Sequence, residues 1–154
     1  MPTRLYQTRI SADWVDYNGH LRDAYYLLIF SEAVDALMDR IGLDAAGRAA
    51  SGHTLFTLEV HLNYLHEVKQ GEAVEVGLQI LGHDQKRLHI YLSLYREGSD
   101  EPVAVSEQML LHVDINGPRS AVFAPSTAAA LDKLVAAQGN APKPTYAGRV
   151  ISLP

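Results

Sequence analysis

Residues 16–42, DYNGHLRDAYYLLIFSEAVDALMDRIG, constrain the fold more than any other stretch of the chain. A tight polar run, Asp16-Tyr17-Asn18-Gly19-His20, passes directly into a segment with the character of one long helix. From Ala24 to Ile41 the apolar residues Tyr26, Leu27, Leu28, Ile29, Phe30, Val34, Leu37, Met38 and Ile41 cover most of a helical circumference. Ser31, Glu32, Asp35, Asp39 and Arg40 interrupt them. A helix apolar nearly all round belongs in an interior. At 1.5 Å per residue it runs about 27 Å, the width of a small domain. Asp23 stands where a cap is wanted and Gly42 where a left-handed residue ends a helix. The rest of the chain is expected to wrap this element.

The flanking sequence supplies strands to do so. Residues 4–13 show partial alternation and read as a first strand. Residues 43–52 are small and polar, a connection or short helical turn. In 53–66, Phe56, Leu58, Val60, Leu62 and Tyr64 alternate with Thr57, Glu59, His61 and Asn63, a period of two. Val74, Val76, Leu78 and Ile80 repeat the pattern in 73–82, as do Leu88, Ile90, Leu92 and Leu94 in 87–97. In 103–115, Val103, Val105, Met109, Leu111 and Val113 share a face. Short polar turns at 82–85 and 97–100 join the later segments, so the last four strands are expected to be antiparallel neighbours. Residues 126–138 read as a second helix capped by Ser126. The expected class is α+β, a single domain over 1–138 with an extended tail over 139–154. One sheet covers only one side of a helix. An apolar helix therefore calls for a strongly curved sheet and a second copy of the chain.

Composition closes several functional classes. A net charge of -5 over 154 residues leaves no basic footprint for nucleic acid or an anionic membrane surface. The absence of cysteine removes disulfides, thiolate nucleophiles and cysteine-zinc sites. Glu32, Asp35 and Asp39 argue against a membrane span, and the opening MPTRLYQTRIS lacks a signal-peptide core. A cytoplasmic location is expected. The histidines show no H-x-x-x-H pairing, and neither a G-x-S-x-G elbow nor a Gly-rich phosphate loop is present. No metal or cofactor is expected.

Strand, polar turn, buried helix and curled antiparallel sheet is the order of the hotdog fold. Asp16-Tyr17-Asn18-Gly19-His20-Leu21 resembles the D-x-x-G-H stretch of hotdog acyl-CoA thioesterases related to 4-hydroxybenzoyl-CoA thioesterase. The resemblance covers residues 4–115. Within that family, WVDYNGH at 14–20, QKRLHI at 85–90 and EQMLLHVD at 107–114 are similar to the betainyl-CoA branch of carnitine breakdown.

That resemblance implies roles for particular residues. Asp16 falls on the family's aspartate, which attacks the thioester or activates water; the same residue also suits a plain helix cap. Main-chain N–H groups of Gly19 and Asp23 would hold the carbonyl oxyanion, helped by the helix dipole. Asn18 would orient Asp16 or form an Asx turn. His20 would position the aspartate, act as acid-base, or only hold the loop. Glu59 and His61, from this chain or a neighbour, would complete the site or form a solvated face. Trp14, Tyr17, Tyr25 and Tyr26 would offer cation-π contacts to a trimethylammonium group, or serve as core. Lys86 and Arg87 would meet the CoA phosphates, or be a hairpin tip. Glu32 is the rival carboxylate, because another branch uses an acid within the helix. The partners implied are an acyl-CoA and a second copy, as a homodimer or dimer of dimers. Two other readings stand beside the thioesterase: a non-catalytic acyl-CoA-binding module, and a dehydratase if His20 and Glu59 converge.

Overall fold

The computed structural model describes residues 2–154. In chain order the elements are β1 (Thr3–Arg9), a 3-10 turn (Ala12–Trp14), α1 (Asp23–Arg40), α2 (Ala45–Ser51) and β2 (His53–Tyr64). They continue with β3 (Ala73–His83), β4 (Arg87–Arg96), β5 (Pro102–Asp114), β6 (Arg119–Ser120) and α3 (Pro125–Gln138). The antiparallel sheet runs β1-β3-β4-β5-β2, with β6 beside β5. Along its inner face lies α1, and the sheet curls round it, the hotdog arrangement expected from the sequence.

The core is built where the period-two patterns meet α1. Val74, Val76, Leu78 and Ile80 of β3 and Leu88, Ile90, Leu92 and Leu94 of β4 pack with Ile29, Phe30, Ala33 and Leu37 of the helix. One expectation fails here. The helix is not buried all round: Tyr26, Ile29, Phe30, Ala33, Val34, Leu37 and Met38 are buried, whereas Leu27 and Leu28 stay exposed. A single sheet reaches only one face, so the second apolar flank is left open. Asp23 is also not the cap. Arg22 occupies that position without a side-chain bond, and Asp23 is the first helical residue, its Oδ1 accepting the Ala24 N–H. A carboxylate there still favours the positive end of the dipole. Gly42 takes the left-handed φ of 84° expected of it.

Three strand expectations are corrected. First, β1 stops at Arg9, because Ser11 accepts the Asp13 N–H and starts the 3-10 turn. Second, β2 is not a neighbour of β3; it pairs with β5 and forms the sheet edge. The connection through residues 65–72 carries the chain across to the far side of the sheet, passing beside the Asp16–Leu21 loop on the way. Third, pairing slips between Thr57 and Glu59, a bulge that reverses which side chains face inward. Leu55 is buried before it, while Phe56, Leu58 and Tyr64 are exposed. On β5 the residues nearest the helix are Ala104, Gln108 and Leu110, and Val105 instead joins Tyr91 and Ala147 on the outer face. With both faces of β5 covered, hydropathy alone could not assign them.

Helix α3 starts with Pro125 after Ala124, and Ser126 is not its cap. Proline suits that first position because it has no N–H to satisfy. Part of the extended tail lies against the domain. Residues 141–148 lie over the outer sheet face, where Ala147 is buried. Among the described residues no helix is long and apolar enough to cross a membrane.

One buried group makes folding pH-sensitive. His112 is fully buried, with Nδ1–H donating to the Ala121 carbonyl and Nε2 unpartnered beside the His53 ring. Burial, aided by nearby His53, lowers its pKa below the usual 6.5, although the Ala121 bond raises it. The unfolded chain thus binds this proton first. Stability is complete above the unfolded pKa and falls as pH drops from it through the folded one. Thermal melts should shift down between pH 7.5 and 5.5, and His112→Leu should flatten that slope. An unchanged slope in the variant would assign the effect to other groups.

Candidate active site

The loop between β1 and α1 is folded around the Asp16 carboxylate. Its Oδ1 accepts the Asn18 N–H at 2.9 Å and the His20 N–H at 3.1 Å. The Asp16 main chain closes the same turn, giving its N–H to the His20 carbonyl and accepting the Gly19 N–H. Gly19 holds φ at 75°, a left-handed conformation that suits a residue without a Cβ. The β2–β3 connection fastens the loop from below: Leu21 N–H donates to Val68, and Gln70 N–H to the Gly19 carbonyl. The chain crossover therefore positions the loop.

This geometry decides the charge on Asp16. The His20 N–H first, then the Asn18 N–H and the charges of His20 and Arg22, hold its carboxyl below the usual carboxylate range, against an opposing desolvation. It is ionised at neutral pH. Among the described residues no ion pair involves Asp16, and Oδ2 carries no hydrogen bond.

The expected oxyanion donors differ in availability. The Gly19 N–H is committed to the Asp16 carbonyl, and the Ala24 N–H to Asp23 Oδ1. Among the described residues the Asp23 N–H has no acceptor, although it opens the helix. Asn18 is exposed, and its backbone forms the Asx turn. His20 Nε2 lies 3.4 Å from Glu67, an acid on the crossover.

The aromatics divide into two groups. Trp14 stacks on Tyr25 at 6.2 Å, and Tyr17 is 93% exposed. Tyr26 is buried and meets the Tyr64 ring edge-on at 5.1 Å. Tyr64 was not singled out from the sequence. Its hydroxyl donates to the Asp23 carbonyl at 3.1 Å, tying the end of β2 to the start of α1. The sequence placed it among inward strand residues, and it does face α1, but at the end of β2 it stays 51% exposed. Gln108 was also missed. It is buried, donates to Ser106, and lines a groove of about 270 Å³ between α1 and β2 with Ser31, Asp35 and Thr57. A buried amide on a strand was the available signal. Asp16 is not among the residues lining this groove, which opens along the sheet edge.

Other expected site residues lie elsewhere in the single chain. Glu59 pairs with Met109 and His61 with Glu107, on the side of β2 opposite Val60 and Leu62. They therefore face away from α1. Glu59 does not converge with His20, so one chain lacks the pair a dehydratase would need. Glu32 receives a hydrogen bond from the Tyr6 hydroxyl of β1. Lys86 and Arg87 line a hollow with Asp84, Gln85, Leu111 and Ser120 at the β3–β4 turn. Arg87 pairs with Asp84 at 2.6 Å; the Lys86 N–H first, then Arg87, holds the Asp84 carboxyl at about 2, and among the described residues Lys86 Nζ meets only Ser120, at 3.4 Å. This turn flanks the 56 end of β2, whereas the Asp16 loop flanks the 64 end.

Comparison with known proteins gives the same reading of the fold. A Staphylococcus aureus protein solved in complex with CoA superposes with a TM-score of 0.91 at 30% identity, covering 100% of this chain and 98% of that one. The betainyl-CoA thioesterase of Pseudomonas aeruginosa is 60% identical over 97% of this chain and 94% of its own length. An Agrobacterium fabrum L-carnitine dehydrogenase/betainyl-CoA thioesterase is 44% identical over 96% of this chain, which spans 30% of that longer protein. Residues 10–131 match the family described as thioesterase-like superfamily, and the chain belongs to that superfamily.

Proposed function

We propose that this chain hydrolyses betainyl-CoA to betaine and CoA, working as a homodimer. One observation carries the reaction: the helix entry holds an ionised carboxylate with an unclaimed oxygen and a helix-start amide without an acceptor. Asp16 Oδ2 attacks the thioester carbonyl carbon while the Asp23 N–H receives the developing oxyanion. The C–S bond breaks, CoA leaves as thiolate and takes a proton from water, and a second water opens the acyl-aspartate. A lowered pKa makes Asp16 a weak general base, which favours direct attack over activation of water. The substrate class rests on similarity to the betainyl-CoA thioesterases.

The open edge supports the dimer. Strand β2 presents unpaired backbone, Leu58 and Phe56 are exposed on it, and Leu27 and Leu28 are exposed on α1. Antiparallel pairing of β2 with its copy covers these groups. It also brings the partner's 56 end, with its Lys86 turn, to the half of the seam that carries the Asp16 loop. Lys86, which meets no acid among the described residues, is the better phosphate contact of the basic pair. Lys86→Ala should raise KM for acyl-CoA about two- to fivefold with little change in kcat, the size of an exposed charge contact. An unchanged KM would remove it from the site.

The test of substrate is a hydrolysis panel. With no cysteine in the chain, a thiol reagent reports released CoA alone. Betainyl-CoA should exceed 3,3-dimethylbutanoyl-CoA, its neutral isostere, by about tenfold in kcat/KM if rings such as Trp14 and Tyr25 meet the ammonium. Equal rates would defeat the cationic substrate while leaving the thioesterase.

A further inference from the structure

Beyond α3 the tail crosses the outer face of the sheet strand by strand. The Pro142 carbonyl accepts Gln79 Nε2 of β3 at 3.0 Å. Tyr146 then packs at the cluster of Tyr91 on β4, and the Gly148 N–H donates to Glu107 of β5 at 2.6 Å. Glu107 is held from another side by His89 at 2.6 Å, and pairing sets it opposite His61 of β2. In this direction β2 is the next strand and the last. Continued on that heading, residues 149–154 would meet the open edge; Val150, Ile151 and Leu153 are 80%, 85% and 93% exposed. Three bare apolar side chains within four residues give this segment apolar surface that association would bury.

We infer that residues 149–154 are an arm that crosses the β2 seam and packs on the outer face of a second copy of this chain. The inference rests on the dimer proposed above, and three observations select this occupant. The first is reach. Six extended residues span about 20 Å, and strands lie about 4.8 Å apart, so passing from β5 over both β2 strands to the partner's β5 needs about 15 Å. The second is level. Antiparallel pairing centred on the middle of β2, His53–Tyr64, sets the level of His61, where the arm departs, against Phe56 of the partner. The third is chemistry. Phe56 is exposed, its cross-strand neighbour Leu111 and nearby Met109 are half-buried, and all three lie on the outer face. A chain's own tail crosses that face at the level of Glu107 instead. The arm thus brings three apolar side chains to three.

The native chain has no cysteine, so Ile151→Cys carries a single benzophenone. Labelled chains are equilibrated with an excess of heavy-isotope unmodified chain, irradiated and digested. Cross-links should join the probe to heavy peptides containing Phe56, Met109 or Leu111. Links confined to light peptides, or none, overturn the arm. Sedimentation of the unmodified chain separates the two ideas: a monomer defeats the dimer and the arm together, whereas a dimer with only intra-chain links defeats the arm alone. Deleting residues 150–154 should raise the dimer dissociation constant at least about tenfold, and an unchanged constant also overturns the arm.

Discussion

Asp16→Asn should lose at least about 100-fold in kcat while the protein stays folded and still binds CoA. The variant is informative because asparagine keeps the Oδ1 carbonyl, the atom that accepts the Asn18 and His20 N–H groups and holds the loop. It discards only the charge and the unclaimed oxygen. Asp16→Ala should additionally lower the melting temperature, since two loop amides lose their acceptor. A non-catalytic binding module would bind acyl-CoA equally well in all three forms, and wild-type chain would release no CoA from the panel. Retained turnover in the asparagine form would remove Asp16 from the reaction. The pH profile offers a second check. The folded pKa is lowered, so the carboxylate contributes stability above its unfolded pKa and loses it as pH falls through the folded one. Activity should therefore hold through pH 5, with its acid limb below the ordinary aspartate range. Single turnover in isotopically labelled water should mark the Asp16 carboxylate if water opens the intermediate at the enzyme's acyl carbon.

Leu58→Asp should give a folded monomer whose kcat/KM for acyl-CoA falls at least as far as that of Lys86→Ala, because the partner's Lys86 turn is lost. Leu58 is the bulge residue near the middle of β2, 54% exposed on an edge with unpaired backbone. In the proposed dimer a twofold axis there would set the two new carboxylates close together. Like charges juxtaposed at an interface cost several kcal/mol, enough to weaken dimerisation by more than 100-fold. The monomer should survive because Ile29, Phe30, Ala33 and Leu37 are buried by the chain's own sheet. Sedimentation with circular dichroism checks both points. A folded monomer with full activity would show that the reaction needs no partner.

The two substitutions probe different layers of what the sequence announces. The DYNGH run, the long helix and the clean alternation of β3 and β4 are local signals, and each formed as written. Spacing alone placed Asp16, Gly19 and His20 in one loop, because a tight turn into a helix leaves few conformations for five residues. Tyr64 and Gln108 were illegible for the opposite reason. Their places depend on the end of β2 meeting the start of α1 and on a strand covered on both faces, neither of which has a period in the sequence.

What the sequence determined by itself is therefore the element list, the helix that the sheet must cover, and the turn that holds a carboxylate at its mouth. These follow from hydrophobic period and turn chemistry, which act over a few residues. Only the tertiary structure decided that β2 leaves β3 to become an edge beside β5, that Leu27 and Leu28 stay uncovered, and that the tail lies across the outer face. Strand order is settled by which distant surfaces can be buried together, and that competition is won in three dimensions.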